Sequence, residues 1–243
     1  MRRDVVTVKT GPRDDLQGLR FQTLVDCIQS NVPPVPTPLA LEIALVADAL
    51  RGTTTPLDFE YWAGDVGHHF AISSSKGGKG RLLSSIVRFC RPAECLELGT
   101  AYGMSTRFIL GTKPCLHLTT IEGHQPTHAR TSSELIARYG SAVDCRLGFT
   151  ADVLPELAPS IAPIDFMFHD AAHTEQDYIR DFSLIVDSLA PGAVILIDDI
   201  RWEDPRFHKG PANTYRGWQA IAGHSRVRHA VEVDESIGMA LLR

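Results

Sequence analysis

The sequence lacks the features that mark several large classes of protein. No stretch of its 243 residues reaches the roughly 18 consecutive apolar residues that a membrane-spanning helix needs. Its 24 Lys and Arg residues are outnumbered by 29 Asp and Glu residues, and proteins that bind nucleic acid or an anionic membrane are usually basic. No apolar core follows the two N-terminal arginines, so no signal peptide is expected. We therefore predict neither a nucleic-acid partner nor a membrane partner.

Cysteine is also scarce. The five cysteines are odd in number, scattered, and form no C-x-x-C pair. This usage favours reduced thiols in a cytoplasmic protein over a disulfide framework or a zinc site. Hydrophobic residues make up 44% of the chain and charged residues 22%, which predicts a globular protein with a core of ordinary size.

The first 60 residues differ in pattern from the rest. Residues 1–12 are expected to form a loose arm, and apolar spacing then predicts two helices separated by the proline-rich segment NVPPVPTP. We interpret residues 1–60 as a helical extension that forms a lid, a dimerisation surface or a packing layer. Residues 61–243 are predicted to form the main domain.

Short apolar runs alternate with helical patterns after about residue 77. This alternation predicts a parallel sheet covered by helices on both faces. The last two strands, 227–233 and 237–243, are joined by three residues and therefore form an antiparallel hairpin. The predicted fold is α/β, doubly wound, with a mostly parallel seven-stranded sheet and one antiparallel edge strand. The five preceding strands are predicted within residues 94–98, 117–122, 143–147, 164–170 and 191–199.

A glycine loop follows the first of these strands. Gly99 and Gly103 have the spacing G-x-x-x-G, which is neither the G-x-G-x-x-G of a dinucleotide site nor a triphosphate loop with Lys-Ser/Thr. Glu122 ends the next strand, 19 residues after Gly103, where an acid is well placed to accept hydrogen bonds from a ribose diol. These features indicate a nucleoside-bearing cofactor whose tail carries no phosphates.

The stretch LELGTAYGMST resembles motif I of the class I S-adenosylmethionine-dependent methyltransferases. The segment from about residue 73 to 243 resembles the small O-methyltransferases of the catechol and caffeoyl-CoA type. Four landmarks stand in that family's order, namely SKGGKGRLLSSIVRF, Glu122, HDAAHTEQDY and IDDIRW. The resemblance implies S-adenosylmethionine as cofactor and a homodimer. The cofactor-binding residues it implies are Lys76, Glu97, Gly99, Thr100, Tyr102, Gly103, Ser105, Glu122, Gly148, Phe149, Thr150 and Asp170.

Three aspartates follow two neighbouring predicted strands. Asp170, Asp198 and Asp199 are expected to converge, because parallel strands lie about 4.8 Å apart. Clustered carboxylates repel one another unless a cation or shared protons relieve them, and they favour Mg²⁺ or another hard divalent cation. The resembling family binds one divalent metal through Asp, Asp and Asn, and this chain has Asp199 in the position of the Asn. We therefore predict a metal site at these three residues, and a metal-free site in which Asp199 caps a turn stays open.

His173 lies three residues after Asp170. Histidine titrates near neutral pH and suits a general base, although catechol-type enzymes have a lysine here. A structural role at a helix N-terminus is the alternative. With His173 and Asp170 as catalytic residues, we predict methyl transfer from S-adenosylmethionine to a hydroxyl of a small molecule, assisted by a divalent metal. The alternatives are a metal-independent methyltransferase that uses His173, and a metal-dependent hydrolase, which would leave the glycine loop unexplained.

Overall fold

The computed structural model describes residues 3–11, 16–30, 32–59, 62–73, 77–112, 117–203 and 211–243. These residues form one eight-stranded mixed sheet with helices on both faces and a separate two-stranded sheet. The strands are β1 Val5–Lys9, β2 Pro56–Phe59, β3 Trp62–Asp65, β4 Glu94–Leu98, β5 His117–Glu122, β6 Val143–Leu147, β7 Ile164–His169, β8 Leu189–Ile197, β9 Val227–Val233 and β10 Ile237–Leu242. The α-helices are α1 Leu16–Ser30, α2 Thr37–Arg51, α3 Val66–Ser73, α4 Gly77–Cys90, α5 Met104–Leu110, α6 Gln125–Tyr139, α7 Thr150–Leu157, α8 Glu175–Ile185 and α9 Thr214–Gly223.

The large sheet has the strand order β1-β9-β10-β8-β7-β4-β5-β6. The five strands from β8 to β6 run parallel, whereas β10 pairs antiparallel with both β8 and β9. The predicted α/β doubly wound fold, with its mostly parallel sheet and closing hairpin, is therefore confirmed. The antiparallel strand β10 lies inside the sheet, between β8 and β9.

The sheet is one strand wider than predicted. Residues 1–12 were expected to be a loose arm, but β1 pairs antiparallel with β9 and forms the edge of the sheet. The segment VVTVK is rich in β-branched residues, which pack well on a pleated surface. Its pairing partner lies more than 200 residues further along the chain, so the sequence pattern alone favours a strand without showing where it pairs.

Alternating side chains along the central strands build two cores. On β7, Phe166 and Phe168 face one core while Met167 faces the other, as the two-residue period of a strand requires. The first core packs against α1, α4, α5 and α6, and the second packs against α7, α8 and α9. Because both faces of the central strands are buried, their sequences are almost continuously apolar.

The N-terminal helices are part of this packing. Phe21 and Ile28 of α1 are buried in the first core, and α2 and α3 form a third cluster with Tyr102 and Met104. The predicted boundary between an extension (1–60) and a main domain (61–243) falls at two residues outside the described ranges. The boundary, and a role of the extension as a lid or dimer surface, stay predictions.

No helix among the described residues is long and apolar enough to cross a membrane.

Candidate functional site

The polar residues singled out in the sequence gather at the carboxyl edge of the parallel strands. The register aligns the last residues of β5, β4, β7 and β8, since Leu98 lies opposite both Ile121 and His169, and His169 lies opposite Ile197. The residues that follow each strand therefore share one edge of the sheet. In open α/β sheets, ligands bind at this edge, where the connections diverge to opposite sides.

Gly99 is required where the loops after β4 and β7 meet. Its φ is +95°, in the region that favours glycine. A Cβ atom at this position would lie 2.1 Å from the backbone oxygen of Asp170. The two loops thus touch through backbone, and a side chain at position 99 would force them apart. Gly103 also has a positive φ, +67°, and it immediately precedes α5.

The Glu122 carboxylate is held by two backbone N–H groups. Ala101 donates to one oxygen at 2.7 Å and His124 donates to the other at 2.8 Å. Burial raises the pKa of Glu122, although both backbone hydrogen bonds favour the charged form. A carboxylate has about four lone-pair positions, so this one can still accept two hydroxyl groups of a ribose.

Residues 148–150, which were predicted to border an adenine, follow directly after Leu147, the β6 partner of Glu122. The Gly148 N–H donates to the backbone oxygen of Glu122 at 2.9 Å. The ring of Phe149 is 69% exposed and lies over Gly123, where an added Cβ would come within 2.9 Å of it. The hydroxyl of Thr150 accepts a hydrogen bond from Arg180. Phe149 therefore presents a flat apolar surface beside a buried carboxylate.

Four predicted cofactor side chains in or next to the glycine loop are buried inside the fold, namely those of Glu97, Thr100, Tyr102 and Ser105. Glu97 accepts hydrogen bonds from Thr106 at 2.5 Å and Thr120 at 2.6 Å, which ties α5 to β4 and β5. Burial raises the pKa of Glu97 to about 7 despite these bonds. The Tyr102 hydroxyl lies 2.8 Å from Nδ1 of His69 on α3. These buried side chains support the glycine loop from inside the fold. Contacts of this loop with a cofactor would therefore come from its backbone.

The predicted residue Lys76 lies outside the described residues.

Asp170, His173 and Asp199 form a close cluster. One oxygen or nitrogen atom from each lies within 4.8 Å of the others. Nε2 of His173 is 3.3 Å from Oδ1 of Asp170 and 3.4 Å from Oδ2 of Asp199. Burial favours the neutral imidazole, but the two aspartates outweigh it and raise the pKa of His173 to about 10.

The start of α8 fixes the position of His173. Thr174 caps the helix by accepting a hydrogen bond from the Asp177 N–H at 3.1 Å, and Glu175 and Asp177 occupy the first turn, where acids are favourable. The His173 ring also packs edge-on against Trp202, with ring centroids 5.0 Å apart. An aromatic wall and two carboxylates therefore surround the imidazole.

Asp198 occupies a different environment from its neighbour Asp199. Its side chain has no exposed surface, and it forms an ion pair with Lys79 on α4. The Lys79 ammonium is also 3.8 Å from Oδ1 of Asp199. Burial lowers the pKa of Lys79, but the nearby aspartates outweigh burial and raise it, so that the ammonium stays charged. The backbone oxygen of Asp198 accepts a hydrogen bond from the Tyr178 hydroxyl at 2.7 Å.

Sequence reasoning missed Lys79 and His69. Lys79 lies in SKGGKG, the segment from which Lys76 was selected, and the sequence offers two lysines there with no signal to choose between them. His69 lies in a helix far from motif I in the chain, and its contact with Tyr102 depends on how α3 packs.

Comparison with known proteins agrees with this geometry. Residues 96–200, which include the glycine loop, Glu122, Asp170, His173 and the Asp198–Asp199 pair, match the family model of a methyltransferase domain. This part of the chain, 105 of its 243 residues, is similar to that domain. The family match ends at residue 200, before α9 and the closing hairpin.

Curated proteins similar to this chain include two bacterial proteins. A catechol O-methyltransferase of Niastella koreensis is 34% identical over 134 residues, which are 54% of this chain and 59% of the relative. A catechol O-methyltransferase of Mycobacterium tuberculosis is 31% identical over 133 residues, which are 54% of this chain and 57% of the relative. The chain thus matches a little over half the length of these relatives.

Solved structures share the fold. An O-methyltransferase from Bacillus cereus in complex with SAH superposes with a TM-score of 0.63 at 19% identity, covering 91% of this chain and 97% of the other. The O-methyltransferase TomG from Streptomyces achromogenes in complex with SAM superposes with a TM-score of 0.61 at 22% identity, covering 94% and 99%. At these identities the likeness shows a common fold.

Proposed function

We propose that this protein transfers a methyl group from S-adenosylmethionine to a hydroxyl group of a small molecule. The observation that carries the proposal is that His173 lies between the carboxylates of Asp170 and Asp199, and that the backbone of Asp170 lies against Gly99 of the glycine loop. The match to a methyltransferase domain and to catechol O-methyltransferases supports this reaction class. The net charge of −5 favours a small-molecule acceptor over a nucleic acid.

The residues at the sheet edge fit S-adenosylmethionine. Gly99 leaves no Cβ between the loops after β4 and β7, and Glu122 is already oriented by two backbone N–H groups. Phe149 adds an exposed ring against which an adenine can stack. The motif I loop, Glu122 and residues 148–150 would thus contact the methionine, ribose and adenine parts respectively.

S-adenosylmethionine, when bound, supplies an electrophilic methyl group on a positively charged sulfur. The chain orients the acceptor so that its hydroxyl oxygen attacks this methyl carbon in line with the breaking C–S bond. His173 accepts the hydroxyl proton at Nε2, which leaves a methyl ether and S-adenosylhomocysteine as products. Asp170 and Asp199 hold the imidazole and stabilise its charged form. Holding both reactants in this pose draws on the roughly 7–11 kcal/mol available to proximity.

The predicted metal set of Asp170, Asp198 and Asp199 does not fit this arrangement. Asp198 is fully buried and paired with Lys79, and burial together with the neighbouring Asp170 and Asp199 raises the pKa of its carboxyl well above the usual range. A metal ion on Asp170, His173 and Asp199 instead would occupy Nε2, the atom that lies between the two carboxylates and would take the proton. A metal ion bound at Nε2 would prevent this atom from accepting a proton. The proposed reaction therefore uses no metal ion.

The first test is a calorimetric titration of S-adenosylhomocysteine into the protein. We expect saturable binding, followed in a second assay by S-adenosylhomocysteine release when S-adenosylmethionine is mixed with a panel of catechols and phenols. Absence of binding would reject the proposed cofactor. Binding without transfer to any hydroxylated acceptor would reject the proposed reaction class.

Glu122→Gln tests the cofactor position within this site. Loss of one charged acceptor should weaken S-adenosylhomocysteine binding by roughly 10- to 100-fold, because hydrogen bonds to a charged group contribute about 1.5–3 kcal/mol. Glu94→Gln is the matched control, since Glu94 starts β4 and pairs with His117 at the opposite end of the strands. Equal affinity in Glu122→Gln and the wild type would remove Glu122 from the cofactor site.

A further inference from the structure

Lys79 carries a charge into the acid cluster from a different part of the fold. It lies in the first turn of α4, before the glycine loop in the chain, and its ammonium reaches the end of β8. There it pairs with the fully buried Asp198 and lies 3.8 Å from Oδ1 of Asp199. Burying a charged lysine costs free energy unless it is paired. Here two adjacent acids, Asp198 and Asp199, lie close to the ammonium.

Two positively charged side chains contact the three carboxylates. Lys79 contacts Asp198 and Asp199, and His173 lies between Asp170 and Asp199. Asp199 thereby links the two cations. Within the part of the chain that the structure describes, these two side chains oppose the repulsion that led to the prediction of a divalent metal.

A divalent ion at this position would have to compete with the ammonium. Mg²⁺ and Mn²⁺ need several carboxylate or water oxygens around them, and one of these carboxylates is fully buried against Lys79. The Lys79 ammonium, 3.8 Å from Oδ1 of Asp199, would also repel a divalent ion bound to that carboxylate, because charges interact strongly inside a protein.

We propose that the ammonium of Lys79 replaces the divalent metal ion on the acceptor side of the site, so that methyl transfer proceeds without metal. Lys79 is a positioning residue that acts through Asp198 and Asp199. It fixes Asp199 against His173 and keeps a positive charge beside the oxygen that becomes nucleophilic. This inference rests on the proposed function, but its first test does not depend on turnover.

The first test is Mn²⁺ binding, measured by electron paramagnetic resonance of free Mn²⁺ with S-adenosylhomocysteine present. We expect no saturable binding to the wild type at millimolar Mn²⁺. Lys79→Met should bind Mn²⁺ at least about tenfold more tightly, because the positive charge beside Asp199 has been removed. Lys9→Met is the control and should behave as the wild type, since the Lys9 ammonium contacts the backbone oxygen of His224. Equal Mn²⁺ affinity in the wild type and Lys79→Met would overturn the proposal.

The second test is turnover after exhaustive treatment with EDTA. The wild type should keep its full rate with an accepted phenol or catechol, and added Mg²⁺ should not raise it. Lys79→Met should lose turnover, while Lys79→Arg, which keeps the charge, should retain part of it. A wild type that requires Mg²⁺ would overturn the role of Lys79 and leave the methyltransferase proposal standing. Failure to bind S-adenosylhomocysteine would instead count against the proposed function.

Folding of the variant needs a control, because Lys79→Met leaves Asp198 buried without its ion-pair partner. The double variant Lys79→Met/Asp198→Asn removes both charges and should fold. It should also lack turnover, since it has lost the ammonium that lies beside Asp199 in the wild type. Full turnover of this double variant in EDTA would overturn the proposal. The wild-type measurements, Mn²⁺ binding and turnover after EDTA treatment, do not depend on the folding of any variant.

Discussion

The imidazole of His173 lies between two carboxylates, and these contacts set the pH range in which it can accept a proton. An imidazole must be neutral to accept a proton, yet Asp170 and Asp199 both stabilise the charged form. Since the pKa of His173 is raised to about 10, the fraction of neutral imidazole increases as the pH rises from 7 to 10. We therefore expect kcat/KM of the wild type to increase with pH over this range.

Asp199→Asn should move this acid limb of the pH profile. The substitution removes one of the two carboxylates that raise the pKa of His173, so the pKa should fall by about one unit or more. The acid limb of kcat/KM should shift to lower pH by the same amount. Asp144→Asn is the control, because Asp144 pairs with Arg146 on β6. A profile that stays in place, or moves to higher pH, would contradict a base held by Asp199.

At the scale of elements, α4 links the acid cluster to the helix that follows the glycine loop. Gly80 lies one residue after Lys79 and packs directly on the ring of Phe108 in α5. An added Cβ would come within 2.1 Å of that ring, so the close approach of the two helices depends on glycine. Because Lys79 is next to Gly80 on α4, the distance between α4 and α5 affects the position of the Lys79 ammonium.

Gly80→Ala should destabilise the fold and displace Lys79. Overpacking of this kind costs about 1–3 kcal/mol in the free energy of unfolding, measured by urea denaturation. Gly223→Ala is the matched control in α9, where an added Cβ meets nothing within 4 Å. Alanine forms helices better than glycine, so this control should be neutral or slightly stabilising. A Gly80→Ala variant as stable as the control would show that the helix contact can relax freely.

At the scale of the whole molecule, the edge strand β1 is tied to the rest of the chain by Arg3. Its side chain contacts Asp234 in the β9–β10 turn and the backbone oxygen of Gly78 at the start of α4. Arg3 is only 9% exposed, so these contacts are made with little competition from water. The first strand therefore joins the closing hairpin to the helix that carries Lys79.

Arg3→Ala should lower the free energy of unfolding by about 1–3 kcal/mol, because it leaves charged and polar partners without a donor. Urea denaturation with an unchanged slope would show that the variant loses stability and keeps its compactness. Arg51→Ala provides the comparison, since Arg51 and its partner Asp48 are mostly exposed and such pairs contribute about 0–1 kcal/mol. Equal stability of the two variants would mean that the β1 contacts add nothing.

The sequence predicted the central part of the fold well, because the buried parallel strands are apolar throughout and are separated by amphipathic helices. It also placed Glu122, Asp170, His173 and Asp199 at one edge, since residues that follow parallel strands must gather there. It did not predict that Asp198 and Asp199 have different partners. That difference arises at the turn, where Asp199 has a φ of +52° and its side chain leaves the direction of the strand.

The sequence pattern could not predict contacts between segments that are distant in the chain. The reach of Lys79 to Asp198 and the pairing of β1 with β9 depend on packing of the complete sheet, which no local spacing encodes. The homodimer, the cytoplasmic location and the identity of the hydroxylated acceptor stay predictions.

The interior position of β10 has a consequence for how the protein is made. A ribosome synthesises this strand after the other nine strands that the structure describes, yet it must insert between β8 and β9. Until it emerges, β8 presents an open edge of unpaired backbone groups, which is a surface prone to pairing with other chains. The nascent protein should therefore depend on chaperone protection until β10 has emerged, and premature stop codons before residue 237 should yield aggregates in place of shortened folded chains.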